Sequence, residues 1–205
     1  MILSLNEIES VVLKAARGAG YEWGLAEEAG AAARWLAQHG LPWAATVATV
    51  LAENTVRLAG AGRAMSNPLV AGTWVSDGLT IDSGTGLNLE SVVAPLWLAA
   101  TVGVGGRGKP ARVSIAWPQA TILTLRGALL HAAGDLANSG PSAVSIRTVP
   151  IAEDTVATVR DPSHDTPCAD DTVWHLLMDL GQRTYVPASV RSRTTGAGAD
   201  LSDND

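Results

Sequence analysis

The chain has 205 residues, of which 47% are hydrophobic, so it can bury a sizeable core and is not an intrinsically disordered protein. Its formal net charge is −6 and it has only two lysines, Lys14 and Lys109. Because phosphate binding requires a basic surface, we expect no nucleic-acid partner. The lone cysteine, Cys168, excludes an intrachain disulfide and a cysteine-based zinc cluster, and it suits a reducing compartment.

The N-terminus lacks the basic region of a secretory signal, and the longest apolar run, residues 92–104, is too short to span a bilayer. We therefore expect a cytoplasmic protein without a membrane partner. No cofactor and no metal site is predicted.

Three helices are predicted in the first 60 residues. Ser4-Leu5-Asn6-Glu7 has the form of a capping box, which begins a helix from about Leu5 to Arg17. A second helix is expected from Gly24 to His39. Pro42 suits the first turn of a third helix, from Trp43 to about Leu58.

From Leu69 onward, the residue pattern predicts β structure. Asp77-Gly78 is a hairpin signal between predicted strands at Thr73–Ser76 and Leu79–Asp82. The run from Leu89 to Thr101 is ambiguous, because Pro95 weakens a helix there. Further strands are predicted at 112–117, 121–126, 128–131, 143–149 and 155–160, and a last helix from Asp170 or Asp171 to about Gln182.

This order of elements predicts a single α+β domain over residues 1–205. An N-terminal three-helix segment (1–60) is expected to pack on an antiparallel sheet (69–160). A C-terminal helix and arm (170–205) would complete the domain.

One stripe of the second helix holds Trp23, Glu27, Gly30 and Arg34, opposite an aliphatic stripe that would face the core. Arg34 could bind a carboxylate, Glu27 could act as an acid/base or ammonium partner, and Trp23 could shield the site. The alternative is a solvated face with a loose Glu–Arg pair, in which Gly30 allows close helix packing.

A second candidate site lies near the C-terminus. Arg183, Arg191 and Arg193 bracket Tyr185, and the backbone around Gly196 and Gly198 could complete an anion site with them. The alternative is that Arg183 complements the helix dipole and that the others belong to a solvated arm. Asp200, Asp203 and Asp205 could bind a hard cation, but the favoured interpretation is a solvated terminus.

Two further motifs favour ordinary structure. His164 and Cys168, with His175 on the last helix, could form a nucleophilic pair or a metal site, but the favoured interpretation is a surface loop, because such residues normally meet through the fold. The glycine-rich run 103–109 nearly matches a phosphate loop, yet Pro110 replaces the required Ser or Thr, which favours a turn before a strand. His39 and His131 are assigned to element ends without a role.

The segment Arg17-Gly-Ala-Gly-Tyr-Glu-Trp-Gly-Leu-Ala-Glu-Glu-Ala-Gly, followed by Ala-Arg34-Trp-Leu, resembles an uncharacterised bacterial domain family, mainly alphaproteobacterial. The ending Arg183-Thr-Tyr-Val-Pro-Ala-Ser-Val, then Gly196-Ala-Gly-Ala-Asp-Leu-Ser-Asp-Asn-Asp, is similar to that family's C-terminus. One departure is Val190, where the pattern has an acid. The resemblance implies no activity, but it implies an arm ordered against the body.

We therefore expect a pocket where the second helix meets the C-terminal segment. Arg34 and Arg191 would hold an anionic or zwitterionic metabolite, Glu27 would act beside it, and Trp23 and Tyr185 would wall the site. The protein would be a small-molecule binder or enzyme of bacterial metabolism. The alternative is a non-enzymatic homodimer or accessory interaction protein, since aromatic and arginine residues favour interfaces.

Overall fold

A computed structural model describes residues 1–57, 67–78, 86–107, 111–150 and 167–185. Six helices and five strands lie within these ranges. The helices are α1 (Leu5–Gly18), α2 (Trp23–Gln38), α3 (Trp43–Arg57), α4 (Pro68–Gly78), α5 (Leu96–Gly105) and α6 (Asp171–Gln182). The strands are β1 (Leu87–Val92), β2 (Arg112–Trp117), β3 (Ala120–Leu125), β4 (Ala128–Gly134) and β5 (Ser142–Val149).

The five strands form one antiparallel sheet in the order β1-β5-β2-β3-β4. Strand β2 shows the alternation expected of a sheet with one buried face, because Val113, Ile115 and Trp117 are buried and the residues between them are partly exposed. Ile115 pairs with Ile122 on β3 and Ile146 on β5, so the three isoleucines form a row on that buried face. The predicted α+β fold is confirmed.

Helix α5 lies at the centre of the molecule. It is buried from Leu96 to Gly103 and contacts α2, α3, α4 and strand β2, so it joins the helical layer to the sheet. Pro95 occupies the position just before this helix instead of interrupting it, because a residue before the first turn has no helical hydrogen bond to lose. The ambiguous run 89–101 therefore divides into the end of β1 and the beginning of α5.

Helix α1 packs against both α2 and α6. The capping box predicted at its start is present, with Ser4 as the N-cap and Glu7 returning the hydrogen bond. Asp170 caps α6 by accepting a 2.8 Å hydrogen bond from the Val173 amide. The first three predicted helices and the last one are thus confirmed within a residue or two.

The predicted strand Thr73–Ser76 is wrong, because these residues lie inside α4. The Asn67 side chain accepts hydrogen bonds from the Leu69 and Val70 amides and begins a helix there. Helix α4 packs on α5, and tertiary packing of this kind overrides the β propensity of the segment. Two helices, α4 and α5, therefore occur within the stretch expected to be mainly β.

The predicted strands Leu79–Asp82 and Thr155–Arg160 fall outside the described residues. In the part of the chain that the structure describes, no helix combines the length and apolarity needed to cross a membrane.

Candidate functional site

A cleft of about 270 Å³ opens where two helices end beside a hairpin. Its lining comes from the end of α2, from the residue after the last turn of α5, and from the β3–β4 connection. In that order these residues are Trp35, Gln38 and His39, then Arg107, then Arg126, Gly127 and Ala128.

The β3–β4 connection is a two-residue turn with an unusual composition. Arg126 and Gly127 have φ angles of 51° and 82°, the positive values that a type I′ turn requires at both positions. Glycine adopts this conformation freely, whereas an arginine there costs about 1–2 kcal/mol. Asn or Asp is the usual residue at the first position, so the turn holds a long cationic side chain at an energetic cost.

Trp35 joins helix α2 to this turn. Its indole N–H donates a 2.8 Å hydrogen bond to the Gly127 carbonyl, and the side chain is only 1% exposed. Gly127 also lies against the end of α5, because a Cβ there would come within 2.9 Å of the Arg107 amide nitrogen. The close approach of these three elements brings Arg107 and Arg126 to one cleft.

His39 forms the buried wall of the cleft. Its Nδ1 lies 2.8 Å from the Trp35 carbonyl oxygen, and its ring centroid lies 4.4 Å from that of the Trp35 ring. Because a carbonyl oxygen only accepts, Nδ1 carries a proton. The imidazole is therefore held in one orientation by the same residue that holds the turn.

The charges in the cleft are positive. Arg107 and Arg126 are exposed, and neither guanidinium donates a hydrogen bond or forms an ion pair within the described part of the chain. The described residues that line the cleft include no carboxylate. Arg107 follows the carbonyl end of α5, whose partial negative charge stabilises its guanidinium. Within the described chain, the two guanidinium groups thus lack a carboxylate partner.

The predicted stripe on α2 is divided between two environments. Trp23 is 59% exposed, donates a 2.8 Å hydrogen bond to Glu27 on its own helix, and lies 5.7 Å from the Arg17 guanidinium. Gly30 is buried against α1, and Arg34 forms a 3.1 Å ion pair with Glu9 of that helix.

Arg34 also bonds to Asn6 on α1. Glu27 and Arg34 therefore have different partners, and Gly30 and Arg34 serve helix packing, as in the alternative interpretation. The ion pair, however, involves Glu9 and not Glu27. The binding and acid/base roles of this stripe stay predictions.

The C-terminal set is only partly described. Tyr185 is 63% exposed and borders a mainly apolar groove of about 90 Å³ between α1 and α6, with Lys14 and Leu177 among its neighbours. It therefore lies beside α1 and not beside α2, where the predicted pocket was placed. Arg191, Arg193, Gly196 and Gly198 lie outside the described residues, and so do the three terminal acids.

Neither of the two further motifs forms a site among the residues described. Cys168 is exposed and its backbone pairs with Ile2, while His175 is exposed on α6 and His164 lies outside the described residues. No group of three or more potential metal ligands occurs among the described residues. The glycine-rich run begins inside α5 and β2 follows it, the reverse of the strand–loop–helix order of a phosphate loop.

Sequence reasoning missed the cleft. It assigned His39 to a helix end and placed Arg126 at the end of a strand, whereas Arg126 is the first residue of the turn. The available signal was a two-residue Arg-Gly connection between strand-like runs, which predicts an exposed arginine in a left-handed conformation.

The fold and the cleft together define an α+β protein with a cationic cleft between its helical layer and its sheet. Residues 3–79 match the model of a family described as "Protein of unknown function (DUF3726)". The match covers α1 to α4 and includes the residues on which the N-terminal resemblance rested, so the similarity to an uncharacterised family is confirmed there. Comparisons with curated proteins and with solved structures found no match.

Proposed function

We propose that the cleft between α2, α5 and the β3–β4 turn binds a small anionic or zwitterionic metabolite, in the cytoplasm of a bacterium. The observation that supports this proposal is the pair Arg107 and Arg126, which reach one concave site without an ion-pair partner in the described chain. Guanidinium groups bind carboxylate and phosphate through two parallel hydrogen bonds. The binding site thus lies at the opposite end of α2 from Trp23.

The conformation of Arg126 supports the same function. A residue with positive φ that is neither Gly nor Asn carries a strain energy, and such strain concentrates at functional sites. Stability alone would favour Asn at this position. An arginine at this position favours a role for its side chain other than stability.

The experiment is a thermal-shift screen and calorimetric titration with inorganic phosphate and a panel of carboxylates, on wild type and Arg126→Asn. A ligand that binds only the native state raises the melting temperature. We expect Arg126→Asn to bind at least about tenfold more weakly, because a charge-assisted hydrogen bond is lost. Its stability should equal or exceed that of wild type, because Asn tolerates the turn.

Arg147→Asn is the matched control, because Arg147 is an exposed arginine on β5, outside the cleft. It should bind like wild type. The proposal is wrong if no anion binds, or if Arg126→Asn and Arg147→Asn bind equally well.

A second candidate function is assembly into a homodimer or with an accessory partner. Trp23 is more than half exposed although its indole N–H already bonds to Glu27, so most of the exposed ring surface is apolar. Exposed aromatic residues of this kind are enriched in interfaces. Light scattering should then show a dimer in wild type and a monomer in Trp23→Ser, while a monomeric wild type would exclude the homodimer.

A further inference from the structure

The charge balance of the cleft constrains its ligand. Two of its described lining side chains, Arg107 and Arg126, are cations, and none of these described side chains is a carboxylate. No acid elsewhere in the described chain pairs with either guanidinium. Among the described residues, the two positive charges of the site therefore have no carboxylate counter-charge.

A monoanion neutralises only one of these charges. When a monoanion binds, the second guanidinium finds no counter-charge in the ligand and stays hydrogen-bonded to water. A ligand with two negative charges accepts charge-assisted hydrogen bonds from both groups. Each guanidinium has a planar fork of donors, so two separate carboxylates or one doubly charged phosphate would satisfy the pair.

The dimensions of the cleft limit the part of the ligand that it holds. A volume of about 270 Å³ corresponds to roughly nine water molecules at about 30 Å³ each. This space accommodates a short dicarboxylate or the phosphate end of a phosphomonoester.

We infer, on the basis of the proposed function, that the ligand of this cleft carries a compact dianionic group. That group is either a pair of carboxylates on a short chain or a phosphomonoester. The two sources share the same chemistry, which is a double negative charge within reach of Arg107 and Arg126.

The experiment is isothermal titration calorimetry of the full chain at constant ionic strength and slightly alkaline pH, with two matched pairs of probes. Butyrate and succinate share a four-carbon skeleton and differ by one charge. Dimethyl phosphate and methyl phosphate differ by one ionisable oxygen, and a phosphomonoester is close to doubly charged under these conditions. The pair that shows the difference identifies the source of the dianion.

In at least one pair, the dianion should bind at least about tenfold more tightly than the monoanion, because it gains one further charge-assisted interaction. Arg107→Gln should reduce this preference to less than about threefold, whereas the exposed control Arg147→Gln on β5 should leave it unchanged. Arg107 is exposed at a helix end, so the variant should fold, and its circular dichroism and melting temperature check this.

The outcomes separate the two proposals. If the monoanion and dianion of each pair bind with equal affinity, the dianion inference is wrong and the anion-binding cleft remains. If the dianion is preferred equally in wild type and Arg107→Gln, the inference is also wrong, because the second negative charge of the ligand then interacts with a group other than Arg107. If no probe binds, both the inference and the proposed function are overturned.

Discussion

Replacing Gly30 by alanine tests how closely α1 and α2 approach one another. Gly30 lies in the middle of α2, where glycine normally destabilises a helix by about 0.5–1 kcal/mol relative to alanine. On helix propensity alone, Gly30→Ala would stabilise the protein. The structure predicts the opposite result, because α1 crosses at this position.

A Cβ at position 30 would lie 2.8 Å from the backbone carbonyl oxygen of Glu9 and 3.4 Å from the Leu13 Cβ. The nearest atom belongs to the α1 backbone and cannot rotate away, so one helix must shift. Overpacking of this kind costs about 1–3 kcal/mol. After subtraction of the propensity gain, we expect the free energy of unfolding to fall by up to about 2.5 kcal/mol.

Gly24→Ala in the same helix is the matched control, because a Cβ there would meet no atom within 4 Å. It should leave the free energy of unfolding unchanged or raise it by up to about 1 kcal/mol. Urea denaturation followed by circular dichroism measures both variants, and an unchanged m-value allows their midpoints to be compared. A Gly30→Ala variant as stable as Gly24→Ala would refute the proposed close contact of α1 and α2.

Three further predictions concern the cleft and the first helix. Trp35→Phe should lower the free energy of unfolding by about 1–3 kcal/mol, because the buried Gly127 carbonyl loses its donor. The same variant should weaken anion binding, and unchanged binding in calorimetry would contradict the positioning role of Trp35. Gly127→Ala should lower the free energy of unfolding by about 2 kcal/mol or more, as measured by urea denaturation, because the φ of Gly127 is 82° and the new Cβ would meet the Gly103 carbonyl. The Ser4 amide and hydroxyl lower the pKa of Glu7 from its usual 4.5. The ionised Glu7 carboxylate therefore stabilises the folded state above pH 4.5, and this stabilisation is lost as the pH falls through the lowered pKa. Glu7→Gln should therefore lose less melting temperature than wild type between pH 6 and pH 3, and an equal loss would contradict the capping box as a source of acid sensitivity.

The sequence by itself determined the elements whose signals are local. The capping box at Ser4 and the cap at Asp170 use side chains that bond to amides within three residues, so their helices could be predicted without knowing what they pack against. The alternation in β2 and β5 likewise reports one buried face directly. These signals were enough to predict the α+β class.

Tertiary packing decided two of the helices, α4 and α5. Helix α5 is apolar around its whole circumference, and α4 packs against it, so neither shows the periodicity that separates a helix from a strand. This is why Thr73–Ser76 was predicted as a strand. The predicted stripe of α2 divides between solvent at Trp23 and the contact with α1 at Gly30, and its sequence could not reveal that Arg34 meets Glu9 on that neighbouring helix.

The cleft depended on tertiary structure most of all. Trp35, Arg107 and Arg126 are far apart in sequence, and they meet because Gly127 accepts the Trp35 hydrogen bond at the point where α5 ends. A sequence records the residue types and the local turn signal at Arg126-Gly127. The distance between that turn and the ends of α2 and α5 is set by long-range packing of helices on the sheet, so only the folded structure brings the two guanidiniums into one site.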